Sequence, residues 1–181
     1  MWLVRPFRAP LEFYIGHMTI KHLSLAAVAL ISVGYQGFTL VASTDAGPAA
    51  TFDDFLAAIS GPMGQKRDRA HINGLFHPQA RFWFVTGDSV VTKDAHEALD
   101  GAIDSWEQKG FFESCTHHET QTWGHWAQVE CTYEIRPSMD APVAKRGTNG
   151  AQLTLDGGRW KILSVYWEAE SATERIPETL R

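Results

Sequence analysis

Between residues 111 and 136 the chain reads FFESCTHHETQTWGHWAQVECTYEIR, and its odd-numbered positions gather Glu113, His117, Glu119 and Gln121 with Tyr133. A carboxyl, an imidazole and a phenol on one face of a sheet are the groups that general acid–base chemistry uses. An imidazole or a desolvated carboxyl moves a proton, and a phenol donates a hydrogen bond to developing negative charge. His117, Glu113 and Tyr133 are therefore the candidate catalytic residues. A second reading stays open: sheet twist carries Glu119 and Gln121 past the covering helices into water, while Glu113 and His117 satisfy each other or the backbone.

If these groups line a cavity, its walls must come from aromatic side chains elsewhere in the chain. Trp83 or Phe84, Trp106, Tyr133, Trp160 and Tyr166 are available. With Glu119, and with His77 at the mouth, they make His77, Trp83, Trp106, Glu119, Trp160 and Tyr166 the candidate ligand-binding set. His77 has a plainer alternative, a hydrogen bond to a neighbouring carbonyl in its turn. Adjacent strand residues point to opposite faces, so His117 and His118 cannot chelate one ion. No dense His/Cys/Asp/Glu spacing occurs elsewhere, so neither a metal site nor a cofactor is expected.

The two cysteines, Cys115 and Cys131, fall on the same odd face. A three-residue loop around 122–124 sets them directly across from one another, near enough for a disulfide with some help from strand twist. Two buried free thiols are the alternative, and a bridge requires an oxidising compartment.

The elements that position these residues follow from pattern. Thr51 followed by Phe52, Asp53 and Asp54 predicts a helix start, with Phe52, Phe55, Leu56 and Ile59 on one face until Gly61-Pro62. A second helix is expected over 66–76, burying Ile72, Leu75 and Phe76. Residues 80–86 predict a strand and Gly87-Asp88 its turn. Thr92 or Asp94 caps a third helix whose Ala98, Leu99, Ala102, Ile103 and Trp106 recur at helical spacing to Gly110. Strands 111–123 and 125–136 flank Gly124. Their odd positions collect the apolar groups, so that side should face the helices. A loop over 137–145 leads to a hairpin built on Asp156-Gly157-Gly158.

That order, helix, helix, strand, helix and then four long strands, implies an α+β domain with helices on one face of a curved antiparallel sheet. Both sides of the last strand carry apolar residues, Trp160, Ile162 and Tyr166 on one and Leu163, Val165 and Trp167 on the other. An exposed apolar face of this kind predicts an interface, and a homodimer through the outer sheet face is expected. Cover by the N-terminal arm, or by the tail, residues 171–181, with Ile176-Pro177 folding back, is the alternative.

Three stretches, Leu75-Phe76-His77-Pro78-Gln79-Ala80-Arg81, Cys131-Thr132-Tyr133-Glu134 and the final hairpin with Gly158-Arg159-Trp160-Lys161-Ile162, resemble the nuclear-transport-factor-2-like superfamily, which includes SnoaL-like and ketosteroid-isomerase-like proteins. With Arg146-Gly147-Thr148-Asn149 and Trp167-Glu168-Ala169-Glu170, they look like a bacterial subgroup of no assigned activity. The resemblance covers roughly 51–170 and implies a cystatin-like cone. It leaves three functions open: a domain that binds a small, mainly apolar molecule, an acid–base enzyme of SnoaL-like cyclase or ketosteroid-isomerase type, or a dimerisation module with a filled cone. The pairing of such domains sheet to sheet also supports the homodimer.

The apolar run LSLAAVALISVGYQGFTLVA after Lys21-His22 has the character of a secretion leader, so residues 1–46 are expected to direct export to the periplasm or outside, with 47–170 the folded domain and 171–181 a tail. Met18 is an alternative start, which makes 1–17 an extension. An uncleaved membrane anchor and a cytoplasmic protein with an ordinary N-terminal arm remain alternatives. The 181-residue chain carries a net charge of −5; Arg5, Arg8 and Lys21 against Glu12 and Asp45 leave −6 on the body. No basic cluster accompanies the aromatics, which argues against nucleic-acid binding.

Overall fold

The computed structural model describes residues 47–181. The leader and alternative start expected within 1–46 lie outside the described residues.

Helix α1 (Pro48–Ile59) begins three residues before the expected Thr51. Pro48 suits a first turn, where no backbone N–H is needed. Thr51 instead lies buried inside the helix and its hydroxyl donates to the Gly47 carbonyl. Helix α2 is only Arg69–Gly74, shorter than the expected 66–76, with the Asp68 carboxylate accepting from the His71 amide at its start. The residues before it are held by Arg67, which is buried and donates to the carbonyls of Ile59, Gly61 and Gln65. The Ile59 and Gly61 carbonyls lie at and just beyond the end of α1, so one guanidinium satisfies groups that the helix leaves open there.

Phe76 opens strand β1 (Phe76–Thr86), which turns at Gly87-Asp88 into β2 (Ser89–Asp94). Strand β2 is additional to the expected elements: Val90-Val91-Thr92 are strand formers, but they abut the capping signal for α3 (Ala95–Lys109). Of the two caps considered, Asp94 is the one used, accepting from the His96 and Glu97 amides. Strands β3 (Phe112–Trp123), β4 (Trp126–Arg136), β5 (Lys145–Asp156) and β6 (Arg159–Ala169) follow. The sheet order is β2-β1-β6-β5-β4-β3, antiparallel throughout except where β1 runs parallel beside β6. The helices lie on one face, so the α+β, cystatin-like architecture is as expected. Phe52, Phe55, Leu56 and Ile59 of α1 and Leu99 and Ile103 of α3 close a core over Val129, Tyr133, Leu153, Ile162 and Val165.

Two β-bulges decide where the chemistry goes. In β3, Cys115 pairs with Tyr133 but His117 pairs with Thr132, leaving Thr116 as an extra residue whose hydroxyl donates to the Thr132 carbonyl. An extra residue reverses the alternation of all that follows. The inward odd face expected along the whole of 111–135 therefore holds for Glu113 and Cys115 and for β4, and fails for His117, Glu119 and Gln121. In β6, Ile162 pairs with Leu153 and Ser164 with Gln152, leaving Leu163 unpaired. Trp160, Ile162, Val165 and Trp167 thereby share the core face, while Tyr166 faces out beside Trp83. The apolar residues of the last strand are thus gathered mainly on one face, with Leu163 and Tyr166 left exposed. The tail also folds back over the outer face: Ile176 is buried, and the Thr132 hydroxyl donates to the Leu180 carbonyl next to a short 3-10 turn, Glu178–Leu180.

Candidate functional site

Phe111 follows Gly110, whose φ of +74° and tight approach to the Pro137 carbonyl suit glycine alone and turn the chain from α3 into β3. Trp106 and Phe111 stack at 4.7 Å, and the next inward residue is Glu113. Its amide donates to the Ser60 hydroxyl at 3.0 Å, tying the start of β3 to the end of α1. Its carboxyl accepts from the Asn149 side-chain amide at 2.8 Å, and Tyr133 is one pair further along the inner face.

These groups open onto a cavity of about 510 Å³ between the helices and the sheet. Its walls include Phe55 and Ile59 of α1, Trp106 of α3, Phe82 and Phe84 of β1 and Trp167 of β6. Phe84 stacks on Trp167 at 5.0 Å, and Phe82 meets the same indole edge-on at 5.5 Å. Such a volume, apolar with a few converging polar groups, falls in the range of small-molecule sites, about 300–1,000 Å³.

Burial pushes the Glu113 carboxyl up to about 7, against the opposing effect of the Asn149 hydrogen bond. Burial, and secondarily the charge of Glu113, pushes the Tyr133 phenol up to about 12. Near neutral pH Glu113 is therefore able both to accept and to give a proton, while Tyr133 remains a donor. Tyr133 is fixed by Gly147, directly opposite on β5: a methyl group there would overlap the Tyr133 hydroxyl and the Glu168 carbonyl.

The expected site residues divide cleanly. Glu113, Tyr133 and Trp106 line the cavity. His117 does not; the Thr116 bulge turns it to the outer face, where it lines a second hollow of about 290 Å³ with Tyr166, Thr132 and Leu180. Its Nε2 is buried there without a hydrogen bond, 3.5 Å from a Glu119 carboxylate oxygen. Glu119 follows His117 to the outer face, as do Trp83 and Tyr166, each 40% exposed and directly paired. Phe84, the alternative to Trp83, takes the wall position. Trp160 packs against the core but does not line the cavity, and His77 accepts a hydrogen bond from the Gln79 amide while its carbonyl meets His96. His77 therefore matches neither expectation: it does not line the cavity, and its ring accepts from a backbone amide instead of bonding a carbonyl. Sequence reasoning missed Asn149, although its Arg146-Gly147-Thr148-Asn149 motif was in view, and the wall residue Trp167.

Cys115 and Cys131 are joined in a disulfide with their Cα atoms 5.6 Å apart, within the usual range. They are not directly opposed, as expected, but diagonal: Cys115 lies across from Tyr133 and Cys131 across from His118. Among the described residues no group of three His, Cys, Asp or Glu is placed to hold a metal ion.

No protein-family model and no curated protein matches the chain. Solved structures do. An NTF2-like protein with a cystatin-like fold from Novosphingobium aromaticivorans superposes with a TM-score of 0.52 at 14% identity, covering 70% of this chain and 82% of that one. A protein provisionally named a ketosteroid isomerase, from Shewanella frigidimarina, gives 0.51 at 18% identity over 68% of this chain and 95% of its own. A protein from Xanthomonas campestris, provisionally named a calcium/calmodulin-dependent protein kinase II association domain, gives 0.52 at 14% identity over 68% and 86%. The domain has the nuclear-transport-factor-2-like, cystatin-like fold; at these identities the likeness concerns fold alone.

Proposed function

We propose that this domain of nuclear-transport-factor-2-like fold is an exported protein that binds a small, mainly apolar molecule in the cavity between α3 and the sheet. One observation carries the reading: an aromatic-walled space of about 510 Å³ converges on one polar cluster, the half-buried Glu113 with the buried Asn149 and Tyr133. A partly desolvated carboxyl beside an open volume of this size costs stability, which favours a role in binding over one in packing. The disulfide supports the export, since such bridges persist in oxidising compartments.

A ligand body lies against Trp106, Phe111 and Trp167, and its polar group meets the cluster. The test is a fluorescence titration with N-phenyl-1-naphthylamine, an uncharged apolar probe that brightens in dry sites. Saturable binding that is lost in Ala102→Phe, which fills the cavity from α3, supports the proposal. Equal binding by both proteins refutes it.

A second reading, acid–base catalysis, is favoured by the Glu113 carboxyl at about 7 with a neutral phenol beside it. Glu113 takes a proton from an acidic C–H of the bound molecule and returns it elsewhere, while Tyr133 or Asn149 donates to the oxygen that gains charge. In this reading Glu113→Gln abolishes turnover and leaves affinity within about threefold, a shift of under 1 kcal/mol.

A further inference from the structure

The charges around the cavity narrow the class of molecule it takes. Among its lining residues Lys93 and Lys145 are the cations and Glu113 is the one carboxylate, within a chain of net charge −5. Directly opposed residues of an antiparallel pair share a face. Lys93 opposes Phe82 and Lys145 opposes Ile135, both cavity walls, so both lysines rise on the inner side of the sheet at the rim. The Lys93 ammonium stands 5.8 Å from the centroid of Phe84, another wall.

Neither lysine takes part in any of the ion pairs among the described residues. The carboxylates nearest to them in register are committed elsewhere. Asp94 caps α3 and faces Arg81, and Glu134, on the outer face, holds Arg136 and Arg146 at 2.6 and 2.7 Å. Two unpaired cations thus border an apolar space in an otherwise acidic protein. Low-dielectric walls concentrate such a field and favour an anion over a neutral or cationic guest.

We infer that the occupant is an organic anion, with an apolar ring or chain body against Trp106, Phe111 and Trp167 and an acid group, carboxylate or sulfonate-like, held in the positive field that Lys93 and Lys145 set up from separate parts of the rim. The inference rests on the binding reading above and specifies its ligand class. Ion pairs at the rim stay partly hydrated, so each lysine contributes modestly and salt weakens it.

Two probes that share one body separate this inference from the binding reading: 8-anilinonaphthalene-1-sulfonate, which carries a sulfonate, and N-phenyl-1-naphthylamine, which does not. In the double variant Lys93→Gln/Lys145→Gln the sulfonate probe is expected to bind about five- to tenfold more weakly, roughly 0.5 to 0.7 kcal/mol per lysine. The neutral probe is expected to bind as in the unaltered protein, and raising the salt concentration should weaken only the sulfonate. If the neutral probe binds in the cavity and the sulfonate affinity is unchanged by the double variant and by salt, the anion inference is overturned while the cavity stands. If neither probe binds, both fall. Both lysines are exposed, so the substitutions leave the fold intact, which an unchanged melting temperature verifies.

Discussion

Glu113 and His117 stand four residues apart on one strand yet point to opposite faces of the sheet, because the unpaired Thr116 lies between them. Regular alternation puts them on the same face; the bulge sends the carboxyl into the cavity and the imidazole to the outer surface. His117→Ala is therefore expected to leave binding of N-phenyl-1-naphthylamine unchanged, whereas Glu113→Leu, which fills and dries the polar end, changes it severalfold. Isothermal titration of both variants measures this. A large loss in His117→Ala alone would place the site on the wrong face.

The buried carboxyl also links stability to pH. Glu113 titrates at about 7 in the folded chain against an ordinary 4.5. Between those values the folded protein holds a proton that the unfolded chain has released, so stability falls as pH rises from about 4.5 to 7. Glu113→Gln keeps an acceptor for Asn149 and removes the titration. The variant should gain up to about 3 kcal/mol relative to the parent at pH 8 compared with pH 4. Urea unfolding at the two pH values measures the difference, and an equal offset at both would show that Glu113 titrates normally.

Gly147 sits where a methyl group would overlap Tyr133 and the Glu168 carbonyl. Gly147→Ala should cost about 1–3 kcal/mol through forced displacement of Tyr133 or of the β6 backbone. Gly150, with only the Tyr166 ring edge near its Cβ position, is the control: Gly150→Ala should stay within about 1 kcal/mol of the parent. Thermal melts of the pair compare them directly.

The disulfide clamps β3 to β4 across the bulge and closes a loop of separation 16. Replacing both cysteines by serine should lower stability by about 3 kcal/mol. Intact-mass analysis without reductant should find the chain two hydrogens lighter than its reduced form. Two alkylatable thiols in the native protein would contradict the bridge.

Much of this architecture was legible in residue order. The apolar parity of 127–135, the Asp156-Gly157-Gly158 turn and the Asp94 cap each depend on neighbours in sequence, and each recurs in the structure. The bulges depend on something else. Alternation is read by counting, so one unpaired residue moves all later side chains to the opposite face, and Thr116 carries no local mark of being unpaired. Leu163 does carry one: the apolar positions switch from 160 and 162 to 163, 165 and 167, which a bulge resolves and a double-faced strand does not. Arg67 was invisible for a different reason. Its role is to satisfy the carbonyls of Ile59 and Gly61, groups that acquire a need only once α1 has ended and the loop has closed over it.

The account stands on the cavity beside Glu113 being where an apolar molecule goes, rather than the exposed aromatics Trp123 and Trp126 at the tip of the β3–β4 hairpin. Nuclear magnetic resonance mapping with N-phenyl-1-naphthylamine separates the two. The predicted result is saturable shifts at the Trp106 indole N–H and the Asn149 side-chain amide, with Trp123 and Trp126 unmoved. Shifts confined to Trp123 and Trp126 would contradict it.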